Sequence, residues 1–153
     1  MNPLIIIDMQ NYFESSRKVE TINAIVRLIE EKKKQGELII LVEFEDCGPS
    51  QPAIMSALRG ANFEKCIKYL DDGSDVIYDE VLKYIEVEKI YICGVNTGCC
   101  VQKTAEGLAE LGYNIEVVAD ACNCEFDGFQ KFPRWANGRH MRNITTLNME
   151  DED

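Results

Sequence analysis

The sequence predicts an α/β protein, a doubly wound parallel sheet of about six strands with helices on both faces. Three observations predict it. Short continuous apolar runs, Leu4-Ile5-Ile6-Ile7 and Leu38 to Phe44 foremost, have the length and composition of strands buried on both faces. Between them, apolar residues recur at three- and four-residue spacing, as on a helix packed against such a sheet. The two patterns then alternate along the chain, which is how parallel βαβ units read.

The run from Leu4 to Ile7 is the first strand, and it ends on Asp8. Ligands of open α/β sheets bind at the carboxyl ends of the strands, so Asp8 is a site candidate; a turn or capping aspartate is the competing reading. Asn11, Tyr12 and Phe13 form a loop. From about Ser16, the positions Val19, Ile22, Ile25, Val26 and Ile29 make the apolar stripe of a helix. Lys32 to Lys34 complement its C-terminal dipole and Gly36 closes it. Leu38 to Phe44 is the second strand, with Glu45, Asp46, Cys47 and Gly48 at its carboxyl end. Ile54, Met55, Ala57 and Leu58 indicate a short helix. Cys66 to Lys68 reads as a short third strand that delivers Lys68 to the same sheet edge, against the alternative of an ordinary solvated lysine. Asp71 to Ser74 is a turn and N-cap, and Val76, Ile77, Val81, Leu82 and Ile85 stripe the helix that follows.

Ile90 to Ala121 reads as strand, tight turn, thiol, helix, strand. Ile90 to Cys93 precede Gly94; Thr104, Ala105, Leu108, Ala109 and Leu111 carry the helix to Gly112; Ile115, Val117, Val118 and Ala119 form the next strand. Cys100 falls at the helix N-terminus. Unpaired N–H groups and partial positive charge there favour a thiolate, which makes Cys100 a candidate nucleophile; a small hydrophobe beneath the sheet is the competing reading. Past Cys122, Phe126, Phe129, Phe132 and Trp135 mingle with Gly128, Pro133 and Gly138 as an aromatic-rich loop, and Arg139 to Leu147 reads as a final edge strand.

A chain of 153 residues suits one domain, residues 1–149, followed by the acidic tail 150–153. The net charge of −11 repels phosphate backbones and anionic lipid, so neither nucleic acid nor membrane is expected as a partner. No apolar run reaches the roughly 18 residues that span a bilayer. Seven cysteines, an odd number without a signal peptide, suit a reducing compartment and a cytoplasmic location. Their spacing is poor for zinc: Cys99 and Cys100 are adjacent, Cys122-x-Cys124 is too close, and His140 is the one histidine. Neither a metal nor another cofactor is expected.

Three stretches together carry a resemblance: IIIDMQNYF (Ile5 to Phe13), a lysine ahead of a DGS turn (Lys68 to Ser74), and GVNTGCCVQKTAEGLAELGYNIEVVADAC (Gly94 to Cys122). Over residues 4 to about 122 the chain resembles the isochorismatase-like cysteine hydrolases, which include nicotinamidases and related amidases. The resemblance implies a triad of Asp8, Lys68 and Cys100. Cys100 is taken over Cys99 because it precedes the Val-x-x-Thr-Ala stretch, while Lys65 stays open as an alternative to Lys68. It further implies a supporting role for Gln10, oxyanion and substrate contacts from Phe13, Val95, Asn96 and Thr97, a cis peptide at Val95–Asn96, a small-molecule amide substrate and a homo-oligomer.

In the chemistry implied, a Cys100 thiolate beside the lysine ammonium attacks a carbonyl. Asp8 relays the proton to the leaving amine, and water hydrolyses the thioester. Two departures from the family narrow the substrate. Where nicotinamidases carry an aspartate and histidine metal motif, this chain has Glu45-Asp46-Cys47-Gly48-Pro49 without histidine. Isochorismate-cleaving members do not use a cysteine nucleophile, so Cys100 points to C–N hydrolysis. Two other readings compete: an inactive member serving as a binding or scaffold subunit, and a thiol redox sensor built on Cys99-Cys100 and Cys122-x-Cys124.

Overall fold

In the computed structural model, which describes residues 1–125 and 143–147, the sheet is organised around β1 (Leu4–Ile7). Its four aliphatic side chains are completely buried. Full burial of such a side chain contributes roughly 1.5–3 kcal/mol, which drives the run to the centre of a sheet covered on both faces. It pairs in parallel with β2 (Ile39–Phe44) on one side and β4 (Ile90–Val95) on the other. β3 (Phe63–Lys68) adds beyond β2, β5 (Ile115–Asn123) beyond β4, and β6 (Ile144–Leu147) beyond β5. Among the described residues the sheet is therefore six-stranded and all parallel, in the order β3-β2-β1-β4-β5-β6.

Crossovers run through α1 (Val19–Gln35), α2 (Pro52–Ala57), α3 (Ser74–Glu80) and α4 (Gln102–Glu110). Right-handed connections place α1 and α2 on one face and α3 and α4 on the other, and the members of each pair pack together. The order reverses between β1 and β4, so the carboxyl ends of these strands flank the crevice where such sheets bind ligands. At this seam the backbones come unusually close. Gly94, paired with Ile7, has φ 118°, and a Cβ there would sit 2.1 Å from the Ile7 carbonyl oxygen.

Several boundaries differ from those the sequence predicts. β3 begins at Phe63, three residues early, because this is an edge strand: its first residues pair with Ile39 to Leu41 yet expose their side chains, so they show no apolar pattern. β5 runs on to Asn123. The register with β4 shifts between Ile92 and Gly94, and the extra β5 residues taken up there break the apolar pattern after Ala119, where the sequence ends the strand. α3 stops at Glu80, and a 3₁₀ turn over Leu82–Tyr84 follows, which lets the adjacent Val81 and Leu82 both face the core. The expected N-cap of α3 is Gly73, and Asp72 supports it by accepting the Ser74 N–H at 2.8 Å. The edge strand is described only over Ile144–Leu147. The aromatic segment 126–138, His140 and the acidic tail 150–153 lie outside the described residues. Each of the seven cysteines is a free thiol. Among the described residues no helix is long and apolar enough to cross a membrane.

Candidate active site

Three side chains predicted from distant parts of the sequence meet at the carboxyl edge of the sheet. Asp8 follows β1 directly, with φ 53°, a left-handed conformation that aspartate adopts more readily than most residues. Its N–H bonds the Val42 carbonyl at 3.0 Å, which continues the β1–β2 ladder by one bond and fixes the turn. Lys68 ends β3, two strands away, in register with Phe44 of β2. Strands lie about 4.8 Å apart, so only a long side chain can cross β2 to reach β1. The Lys68 stem does so over the Phe44 ring, with Nζ 3.9 Å from the ring centroid, and ends 3.0 Å from Asp8 Oδ2. Nζ also donates to the carbonyls of Leu70 (2.9 Å) and Asp71 (3.2 Å). Lys65, the alternative lysine, instead pairs with Glu43 Oε1 at 2.9 Å and is half-exposed.

Cys100 comes from the other half of the sheet. β4 leads through the cis peptide Val95–Asn96, as the resemblance implies, into a single π-helical turn over Thr97–Val101 that opens α4. Cys100 is 8% exposed, against 1% for Asp8 and none for Lys68, so all three are nearly sealed from solvent. Its thiol points toward Asp71 Oδ1 at 3.9 Å and lies within electrostatic reach of both Asp8 and Lys68.

Burial raises the Asp8 carboxyl to about 6, although Lys68 pulls the other way. Burial first, then the Asp8 charge, push the Cys100 thiol up to about 12 against the lowering pull of Lys68. Burial therefore works against the Cys100 thiolate that the sequence leads one to expect. Lys68 is committed to Asp8 and two carbonyls, and the N–H groups of Cys99 and Val101 both bond the Asn96 carbonyl instead of facing the sulfur. The arrangement is a neutral thiol beside an ion-paired carboxylate that is a stronger base than a solvated one.

The remaining predicted residues divide by what their polar atoms do. Gln10 has its amide fully engaged: Nε2 donates to the carbonyls of Phe44 and Gly48, and Oε1 accepts the Phe44 N–H at 2.7 Å. It clamps the end of β2, and with it the ring on which Lys68 rests, so it supports the site instead of offering its amide to a substrate. Asn96 Oδ1 accepts from Ser15 Oγ at 2.6 Å and from the Glu125 N–H at 3.1 Å, tying the loop after β1 to the end of β5. Val95 is buried. Phe13 packs edge-on to Tyr12 and tilted against Phe44. Thr97 Oγ1 and Asp8 Oδ1 are buried without a hydrogen-bond partner among the described residues, while Asp8 Oδ2 is met by the Lys68 ammonium. Buried polar atoms are nearly always paired, which makes Thr97 Oγ1 and Asp8 Oδ1 candidate contacts for a bound group.

Sequence reasoning did not single out Ser15, Phe44, Asp71 or Thr104. Thr104 Oγ1 accepts the Gly73 N–H at 3.0 Å and contacts the Asp71 carbonyl, fastening the turn that receives Lys68. Its Thr-Ala pair stands within the resemblance, which was the available signal. Phe44 reads as one more strand residue, and Asp71 as one more turn aspartate. Clefts of about 520 and 350 Å³ open elsewhere, along α1 and the end of β5, and neither is lined by Asp8, Lys68 or Cys100. The larger includes Cys122, but that thiol is buried and directed at the Val118 carbonyl. Among the described residues no three His, Cys, Asp or Glu side chains gather to hold a metal ion.

A family profile, the Isochorismatase domain, matches residues 2–132. Isochorismatase domain-containing protein 2 from Xenopus laevis is 30% identical over 128 residues, covering 78% of this chain; the chain spans 59% of that relative's length. Among solved structures, the pyrazinamidase/nicotinamidase of Streptococcus mutans superposes with a TM-score of 0.80 at 19% identity, covering 96% of this chain and 100% of that one. N-carbamoylsarcosine amidase of Thermoplasma acidophilum gives 0.78 at 20%, covering 97% and 96%. MAR1 ribonuclease of Caenorhabditis elegans gives 0.82 at 23%, covering 95% and 76%. At these identities the superpositions establish the shared fold.

Proposed function

This chain belongs to the isochorismatase domain family, and on that premise we propose that it is a cysteine hydrolase that cleaves an amide-type C–N bond of a small molecule. The observation that carries the reading is the buried contact of Lys68 Nζ with Asp8 Oδ2 at 3.0 Å, with the Cys100 thiol beside both. In the proposed cycle Asp8 takes the thiol proton as Sγ attacks the carbonyl carbon. The S–C bond forms, and the negative charge moves to the carbonyl oxygen. Backbone N–H groups of the Asn96 to Cys100 turn serve as the oxyanion donors, with those of Cys99 and Val101 bonded to the Asn96 carbonyl at rest. The C–N bond breaks as the proton on Asp8 passes to the departing nitrogen. Asp8 then deprotonates a water that attacks the thioester, and the proton returns to Sγ as the acid leaves. Lys68 keeps Asp8 anionic in a site whose burial would otherwise protonate it.

Names among the structural neighbours, a nicotinamidase and an N-carbamoylsarcosine amidase, support a small amide as substrate, and the net charge of −11 favours it over a nucleic acid. We read the protein as a cytoplasmic homo-oligomer that needs no metal for this step. The test is ammonia or amine release from a library of small amides, with intact mass measured after rapid acid quench. The wild type is expected to turn over one amide class and to show an acyl adduct on Cys100. Cys100→Ala is expected to fold with unchanged circular dichroism and lose at least about 10³-fold in turnover. Activity near wild type in that variant refutes the proposal.

A further inference from the structure

Asp71 has no part in the chemistry above, yet its carboxylate is among the polar groups nearest the nucleophile. Oδ1 lies 3.9 Å from Cys100 Sγ, and its charge is also felt at Asp8. The residue is exposed, so it stands at the rim while Asp8, Lys68 and Cys100 lie beneath. Its backbone is fixed from below, the carbonyl accepting from Lys68 Nζ and contacting Thr104 Oγ1. The side chain is steadied from outside, where Lys103 Nζ meets Oδ2 at 3.1 Å and leaves Oδ1 turned to the sulfur. The buried ion pair is neutral as a unit, so among the described residues Asp71, with its partial counter-charge Lys103, places negative charge directly beside the sulfur.

From this geometry we infer that Asp71 is a specificity-determining residue, which admits amides carrying an N–H donor or a positive charge next to the scissile carbonyl and turns away those carrying a carboxylate there. An acyl group bonded to Cys100 Sγ that extends toward the rim passes close to Asp71 Oδ1, which lies 3.9 Å from the sulfur. A donor there gains a charge-assisted hydrogen bond, whereas an anion meets like charge at close range. The inference rests on Cys100 being the nucleophile of the proposed hydrolase, and its test is chosen to stand apart from amide turnover.

The test alkylates Cys100 with iodoacetamide and iodoacetate, two reagents of similar size that differ in charge, and reads each rate by peptide mass spectrometry at low ionic strength. Their ratio on one sulfur cancels the thiol's own acidity. The neutral reagent is expected to be favoured at Cys100 well beyond its preference at the thiol of free N-acetylcysteine amide measured alongside. Asp71→Asn is expected to shrink that excess about tenfold, and Lys103→Gln, which strips the counter-charge, to enlarge it. A ratio unmoved by either substitution overturns the inference. Should the amide library show no turnover, the proposed hydrolysis fails while the charge selection at Cys100 is still decided by these ratios.

Discussion

At the scale of single residues, the proposed cycle turns on two acidities that burial displaces in the same direction, those of Asp8 and Cys100. Burial holds the Asp8 carboxyl near 6 and the Cys100 thiol near 12, so at neutral pH the carboxylate is ionised and the thiol is not. The base that limits the reaction is then Asp8. Below pH 6 Asp8 is protonated and cannot accept from sulfur, so kcat/KM is expected to rise with pH through about 6 and then level off. A pH profile over 5 to 9 checks this; a rising limb centred at 8 to 9 would mean that thiol ionisation governs the rate. Asp8 and Cys100 were legible because each sits where a recognisable pattern ends, a buried strand for one and a turn into a helix for the other. Lys68 was placed at the sheet edge by its short strand and singled out by resemblance, but its complete burial was not legible, since nothing in a short, partly polar run announces it. Phe44 was not legible at all: its use as a platform follows from the β2–β3 register, and no local pattern encodes register for an edge strand.

At the scale of elements, the site depends on how closely pieces of backbone approach one another. Gly94 lets β4 lie against β1, which brings the turn carrying Cys100 to Asp8. Gly94→Ala would set a Cβ 2.1 Å from the Ile7 carbonyl oxygen at a φ that L residues avoid, so one strand must move. The expected cost is about 2–4 kcal/mol, read as a lower midpoint in urea unfolding, with activity lost even where the variant folds. An unchanged midpoint would mean the seam has slack that the geometry does not show. The strands and long helix were visible in the sequence because their burial is continuous or periodic. The early start of β3, the long end of β5 and the break after Glu80 were not visible. Each arises where pairing or packing with a neighbour overrides the local pattern, and pairing partners are set by tertiary structure.

For the whole molecule, the doubly wound class follows from the alternation of elements, whereas the strand order that makes a functional crevice is a property of the assembled sheet. The seam between β1 and β4 has a consequence for how the chain could be divided. The proposed base and cation are both supplied before residue 86, and the proposed nucleophile after residue 89, so each half of the fold inherits an incomplete set. A chain cut near the exposed Glu86 yields two fragments that meet, among the described residues, along the β1–β4 ladder and the helices packed across it. Each fragment alone is expected to be inert. Mixing them is expected to restore turnover with a second-order dependence on concentration, which makes the reconstituted activity a reporter of whether the two halves have found each other.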